Sequence, residues 1–443
     1  MLWARPRTGQ SLLSTKTFNT GIIQAMHHFK YNKKELFCER TPLSRIAKEV
    51  GTPFYVYSHA TLLHHFKAFD GAFDNLEHLT CFSVKSNSNL AILRLFASRN
   101  SGVDIVSGGE LFRATKAGIP PGKIVYSGVG KTVQDIKYAL DTGILMFNVE
   151  STEELKTINR LARAMNKRAP IAFRVNPDVD PKTHPYISTG MKENKFGIDI
   201  HEAYQKYLFA SSLDHISVIG VSCHIGSQLT DVSPLTNAIK KLIQLIRRLK
   251  NNGINIKYLD IGGGLGITYR DEKPPHPAQY AKAIQEELKD MPATLILEPG
   301  RVIVGNAGAL VTRITYKKSN GDKTFYIVDA GMNDLMRPSL YNAYHDIWPV
   351  SRTDREQITV DIVGPICESG DFFAKKRKIA ACEPGEMLAI MSAGAYGFTM
   401  ASNYNSRPRL PEVMVKEDRF YLIRERETFN DLVRGEHIPD FLR

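Results

Sequence analysis

The sequence predicts an α/β chain: a (β/α)8 TIM barrel followed by a mostly antiparallel C-terminal β domain. Two observations predict it. From about residue 78 to about residue 300 one rhythm recurs: a short apolar run, a loop, then an amphipathic helical run. After about residue 305 the rhythm stops, and short strand-like runs punctuated by Gly and Pro follow without long helices between them. Strands alternating with helices pair in parallel, and eight such units suit a closed barrel better than an open doubly wound sheet.

Taken in order, the expected barrel strands are 80–84, 103–106, 124–126, 145–149, 171–175, 218–223, 256–261 and 295–297. Two of the intervening helices are well marked. Ser151 and Glu154 have capping-box spacing, with Leu155, Ile158 and Leu161 following on one face. Ser233 and Pro234 fit the N-cap and first helical position. Leu235, Ile239, Leu242, Ile243, Ile246 and Leu249 then form a stripe that Asn251-Asn252-Gly253 ends. The β domain is expected to hold strands at 309–317, 323–329, 357–363 and 387–391. The domain plan is a leader at 1–25, a segment at 26–50 that packs with the β domain and adds a strand to it, the barrel at 51–305, and the β domain at 306–443.

Composition narrows the function classes. The 443 residues are 43% hydrophobic and 23% charged, which excludes a disordered chain. No apolar stretch is long enough to span a membrane. Five cysteines (38, 81, 223, 367, 382) show no CxxC spacing, which argues against a disulfide framework or zinc site and for a reducing, cytoplasmic location. The 58 Lys+Arg exceed the 46 Asp+Glu, giving a net charge of +12. A nucleic-acid binder concentrates its cations among aromatics. Here the longest basic run, Lys375 to Lys378, reads as a solvated loop or strand end, and the charge excess, spread over helix faces such as Lys240, Lys241, Arg247 and Arg248 and over the leader, supports neither nucleic acid nor membrane binding. Residues 1–25 carry Arg5, Arg7 and Lys16 and no acid. That composition resembles a transit peptide, but the preferred reading is a disordered tail or an over-long gene model starting at Met26.

Catalytic groups of such a barrel sit at the C-terminal ends of its strands. The first strand leads into Lys85, the second contains Asp104, and the sixth leads into His224 and Ser227. The seventh runs into Gly262-Gly263-Gly264-Leu265-Gly266, and the eighth into Glu298-Pro299-Gly300-Arg301. A lysine alone at a strand end is more often ion-paired than catalytic, and a Gly-rich turn alone is weak evidence. A lysine whose pKa desolvation lowers, a phosphate-cradling glycine turn and an acid on one rim together suggest pyridoxal phosphate. His224, two residues before the Gly226-Ser227 turn, fits either a satisfied core histidine or a ring stacked on the cofactor.

Phe82-Ser83-Val84-Lys85-Ser86-Asn87, His224-Ile225-Gly226-Ser227-Gln228, the glycine turn and Glu298-Pro299-Gly300-Arg301 resemble the pyridoxal-phosphate decarboxylases with an alanine-racemase-like barrel. Met336-Arg337-Pro338-Ser339-Leu340-Tyr341, Cys367-Glu368-Ser369-Gly370-Asp371 and Gly394-Ala395-Tyr396-Gly397 narrow the resemblance to the diaminopimelate decarboxylase family. It covers about residues 26 to 430, although the first strand departs from the family's more usual Tyr-Ala-Val-Lys-Ala-Asn. The resemblance implies conversion of meso-2,6-diaminopimelate to L-lysine and carbon dioxide. Lys85 would hold the cofactor as a Schiff base. Ser227, Gly263, Gly264 and Gly300 would bind its phosphate, Glu298 its pyridine nitrogen, and Asp104 would join the cofactor site. Arg301, Arg337 and Tyr341 would grip the retained carboxylate, Arg301 also contacting the cofactor, Glu368 would pair with the distal ammonium, and Tyr396 would reach the phosphate and substrate. Cys367 would return the proton. The Cys367 loop of this family enters the other subunit's site, so a homodimer is expected.

Rival readings are an ornithine, arginine or carboxynorspermidine decarboxylase of the same fold, and a non-catalytic cofactor-binding homologue. The first should not need the Arg301, Arg337, Tyr341 and Glu368 set; the second would be expected to lose Cys367 or the arginines. A racemase is disfavoured because Glu298 stands where a weaker electron sink would place an arginine. The segment 184–197, after the fifth strand, reads as an active-site lid.

Overall fold

The computed structural model describes residues 27–180, 195–289 and 291–442, so the leader and residues 184–194 of the expected lid lie outside the described residues. Eight strands pair in parallel and close on themselves. They are β1 (His78–Ser83), β2 (Gly102–Ile105), β3 (Ile124–Tyr126), β4 (Met146–Val149), β5 (Ala169–Asn176), β6 (Ile216–Ser222), β7 (Tyr258–Asp260) and β8 (Thr294–Leu297). The closing pair is β8 on β1, with Leu295 opposite His78 and Leu297 opposite Thr80. Every strand expected from the sequence is present, with ends shifted by a few residues.

Helices cover the outside. Ser233–Lys250 buries Leu235, Ile239, Leu242, Ile246 and Leu249 against the barrel, as its stripe predicts. Ser233 is its first helical residue and makes no side-chain cap. Thr152–Ala164 is capped by Ser151, whose Oγ accepts from the Glu154 N–H at 3.2 Å. The other half of the expected capping box is not made. Glu154 instead turns one carboxylate oxygen to the Glu150 N–H (3.0 Å) and the other to the buried Lys131 Nζ (2.7 Å), a charge-assisted contact that the Ser151 N–H does not offer.

Strand periodicity sorts the barrel interior into two layers. Cys81, Val125, Met146, Ala172 and Ile296 form an apolar cluster inside the barrel. Two residues further along the same strands, on the same inner face, stand Ser83, Ser127, Asn148, Arg174 and Glu298. With Asp104, Ser222 and Asp260 they make a buried polar layer at the C-terminal mouth.

The β domain is a mixed, mostly antiparallel sheet centred on Gly308–Asn320. Its spatial order is Phe372–Ala380, Gln357–Val363, Lys323–Val328, Gly308–Asn320, Phe54–Ser58, Glu412–Lys416 and Arg419–Arg424. Two of its pairs are parallel: Lys323–Val328 with Gln357–Val363, and Glu412–Lys416 with Phe54–Ser58. Phe54–Ser58 thus belongs to this sheet, although it lies inside the 51–305 span assigned to the barrel. All five of its residues are buried, so it shows no alternation that would mark it as a half-exposed strand. The described residues of the 26–50 segment add no strand to the sheet. Phe29–Asn32, Glu35–Cys38 and Thr41–Pro42 form their own small sheet, joined to the β domain by the Leu36 N–H donating to the Val350 carbonyl at 2.8 Å.

The basic run Lys375–Lys378 lies within the strand Phe372–Ala380, not in a loop or at a strand end. A register skip opposite Val360 and Ile362 makes this possible. Lys376 takes φ +50° there, donates its N–H to Asp361 Oδ1 at 2.7 Å and turns its side chain to solvent.

The β domain reaches the barrel mouth through Gly394-Ala395-Tyr396-Gly397. A Cβ at Gly394 would stand 1.9 Å from the Val304 carbonyl oxygen, so only glycine allows this approach. It brings Tyr396 over the rim, where its N–H donates to the Ser86 carbonyl at 2.8 Å.

Candidate active site

Lys85 sits in the 3-10 turn Val84–Ser86 that follows β1. Its Nζ donates to Asp104 Oδ2 at 2.5 Å. Ser83 Oγ lies 3.1 Å from the same oxygen and 3.0 Å from the Glu298 carbonyl oxygen. Below them Asp260 accepts from Asn148 Nδ2 at 2.7 Å, Ser222 Oγ at 3.3 Å and the Gly262 N–H at 2.9 Å. Three carboxyl groups therefore share the floor with one ammonium. Burial, then Asp104 and Asp260, pushes Glu298 well above the usual carboxylate range, and burial also raises Asp260. For Lys85 burial pulls downward, but Asp104 and Glu298 outweigh it and the pKa is raised. This reverses the expectation that desolvation lowers the Lys85 pKa. The sequence shows that the lysine is buried but not that two carboxyl groups converge on it.

Above the floor, His224, Ser227, Gly263, Gly264, Glu298, Gly300, Arg301 and Tyr396 line one cavity with Lys85. The Gly263 N–H donates to His224 Nδ1 at 3.3 Å, and burial, then Arg174 and Lys85, keeps the ring neutral. Gly264 has φ +113°, and a Cβ there would stand 2.4 Å from the Gly226 carbonyl oxygen. Tight packing of the loops after β6 and β7 thus requires this glycine. The Gln228 side-chain amide ties the same loops together, donating to the Ile267 carbonyl at 2.5 Å and accepting from its N–H at 3.2 Å.

The cavity opens into a cleft lined by Tyr269, Arg301, Arg337, Tyr341 and Tyr396. Arg301 and Arg337 are 8% and 6% exposed. Arg301 donates to Tyr269 Oη at 2.8 Å and to Ser227 Oγ at 3.2 Å, while its buried Nε has no hydrogen-bond partner among the described residues. Its guanidinium stands 5.0 Å from the centre of the Tyr396 ring. Arg337 opens the short helix Arg337–Tyr341 and lies over the Tyr269 ring at 4.6 Å. Burial works to raise the Tyr269 phenol, but Arg301 and then Arg337 bring it below its ordinary value. Among the described residues no carboxylate lies within 4 Å of either arginine.

Cys367 and Glu368 are not among the residues lining either space. Both are exposed, on a loop whose base Asp371 clamps by accepting from the Ile366 and Met332 N–H groups at 2.7 Å each. Of the five cysteines, Cys367 alone is exposed.

Sequence reasoning passed over several residues found here: Arg174, Asp260, Tyr269 and His345. Arg174 ion-pairs with Glu150 at 3.1 Å, and Glu150 accepts the Gly197 N–H, tying β4 and β5 to the chain ahead of the Ile198–Asp199 strand. Arg174 and Asp260 had a legible signal, each being a charge at an inward position of an apolar strand. Tyr269 and His345 lie in loops and had none.

Residues 59–305 match the family model described as the pyridoxal-dependent decarboxylase, pyridoxal binding domain. A diaminopimelate decarboxylase of Haemophilus influenzae is 53% identical over 409 residues, covering 92% of this chain and 98% of that one. The crystal structure of diaminopimelate decarboxylase from Helicobacter pylori complexed with L-lysine superposes with a TM-score of 0.86 at 44% identity, covering 89% and 99% of the two chains. That from M. jannaschii, also with L-lysine, gives 0.89 at 39% identity, covering 94% and 99%.

Proposed function

Because the chain belongs to the diaminopimelate decarboxylase family, we infer that its acidic floor and its arginine wall divide one decarboxylation between them. The enzyme is a pyridoxal-phosphate-dependent carboxy-lyase that converts meso-2,6-diaminopimelate to L-lysine and carbon dioxide. The residues present fit the cofactor. Lys85 offers an amine for its aldehyde, Glu298 an acid for its ring nitrogen and His224 a neutral ring for its face. Ser227, Gly263, Gly264 and Gly300 offer a hydroxyl and close-packed backbone for its phosphate. The buried Asp104 Oδ1 has no hydrogen-bond partner among the described residues, so the floor keeps acceptor capacity to spare. Bound there, pyridoxal phosphate supplies the electron sink that loss of a carboxylate requires.

In this reading Asp104 orients the Lys85 amine, and Tyr396 reaches the phosphate side of the cavity and the substrate. Arg301, Arg337 and Tyr341 hold the carboxylate that is kept. Cys367 returns a proton to the carbon that lost its carboxylate, and Glu368 pairs with the distal ammonium. Both come from the partner of a homodimer, which their exposure on an outward loop supports. Five unpaired thiols support a cytoplasmic location, and no described helix is long and apolar enough to cross a membrane.

The observation that carries the substrate assignment is the pair of buried arginines with no carboxylate partner among the described residues. Leaving a buried charge uncompensated costs about 3 kcal/mol or more, so such a pair is kept for an anion that arrives. The test incubates the purified protein with meso-diaminopimelate, lysine, ornithine and arginine and follows carbon dioxide and the visible cofactor band. Release from diaminopimelate is expected, with the band lost in Lys85→Ala. Comparable release from ornithine, or a band that persists in Lys85→Ala, would overturn it.

A further inference from the structure

His345 has none of the roles above, yet it is fully buried directly behind Arg337. Its Nδ1 lies 2.8 Å from the Met391 carbonyl oxygen and its Nε2 lies 2.8 Å from Arg337 Nη1. A carbonyl can only accept, so the ring proton is on Nδ1, and Nε2 is bare and accepts from the guanidinium. One tautomer satisfies both contacts. The ring is also neutral: burial, then Arg337, pushes its pKa down to about 3. Tyr269 packs edge-on against it, with centroids 5.5 Å apart. Arg337 is therefore fixed from behind by His345 and covered by Tyr269.

A buried arginine is usually matched by a carboxylate. A carboxylate in this place would hold the guanidinium equally well but would cancel its charge. We propose that His345 is a positioning residue that sets affinity for the retained carboxylate, aiming Arg337 through a neutral acceptor so that its whole charge stays available to substrate. This rests on the reading of Arg337 as a carboxylate grip, and the experiment separates the two.

In the holoenzyme, His345→Phe keeps a ring and removes the acceptor, His345→Gln restores a neutral acceptor, and Arg337→Ala tests the underlying reading. The readouts are KM and kcat on meso-diaminopimelate and the L-lysine dissociation constant by titration calorimetry. A hydrogen bond to a charged group contributes about 1.5–3 kcal/mol, so His345→Phe is expected to raise KM and the lysine constant together by about 10- to 100-fold. Because the retained carboxylate is held alike before and during reaction, kcat should stay within about 3-fold. His345→Gln should recover most of the loss, and this arm decides the matter if the Phe variant does not fold. Unchanged lysine affinity in His345→Phe while Arg337→Ala loses it would overturn the role of His345, as would a fall in kcat at constant KM. Unchanged affinity in Arg337→Ala would instead overturn the carboxylate grip itself.

Discussion

At the floor of the cleft, Asp104 and Glu298 converge on Lys85, and Asp260 lies beside Glu298. On its wall, Arg301 and Arg337 face the same space with, among the described residues, only Tyr269, Ser227 and His345 as hydrogen-bond partners. The two regions treat buried charge in opposite ways. The floor compensates its charges internally, setting carboxyl groups against an ammonium, and so raises the pKa of Glu298 and of Lys85 together. The wall sets no described carboxylate within 4 Å of its guanidinium groups and holds them in place with neutral acceptors. A floor that is electrically complete can keep a permanent occupant at one protonation state. A wall that is incomplete binds best what brings the missing negative charge, and a substrate that keeps one carboxylate does so.

The largest expected effect tests whether floor and wall suffice. Cys367 belongs to neither, being exposed on its own loop. General acids contribute about 10²- to 10⁴-fold, so Cys367→Ala should keep the cofactor band and the lysine affinity while kcat falls by about that factor. Full turnover in that variant would mean that the two regions supply the proton themselves, and the Cys367 role would fall.

A smaller effect sharpens the description of the wall. The His345 pKa is lowered from 6.5 to about 3, so between those values the folded protein binds fewer protons than the unfolded chain. Its contribution to stability is full above pH 6.5 and is lost as pH falls toward 3, at up to about 1.4 kcal/mol per pH unit. His345→Gln lacks this term. The melting-temperature gap between wild type and His345→Gln should therefore shift in favour of the variant between pH 7 and pH 5. A gap that is independent of pH would show that the ring is not held neutral.

Much of the floor was legible in the sequence, and little of the wall. The eight strands, the glycine turn and Lys85, Asp104, His224 and Glu298 sit at or just past strand ends, where barrel geometry fixes their direction. The inward charges Asp260 and Arg174 follow from the same period of two, applied to the interior and not only to the strand ends. Tyr269 and His345 lie in loops after β7 and after Arg337–Tyr341, and only tertiary folding brings them to the arginines. Phe54–Ser58 was hidden for a related reason: a strand buried on both faces has no alternation, and its neighbours, Gly308–Asn320 and Glu412–Lys416, lie hundreds of residues away. The direction of the Lys85 shift was misread because it depends on how many carboxyl groups converge on the amine, which strand-by-strand reading does not count.

The division of labour between floor and wall is tested most directly by one crossed measurement on two holoenzyme variants, Glu298→Gln and Arg337→Ala, reading the visible cofactor band and the lysine dissociation constant in each. The account predicts a displaced band with lysine affinity within about 3-fold in Glu298→Gln. In Arg337→Ala it predicts an unmoved band, with affinity weakened by about 100-fold, the scale of removing one partner of a buried charge-assisted contact. A displaced band in Arg337→Ala with lysine affinity unchanged would contradict it.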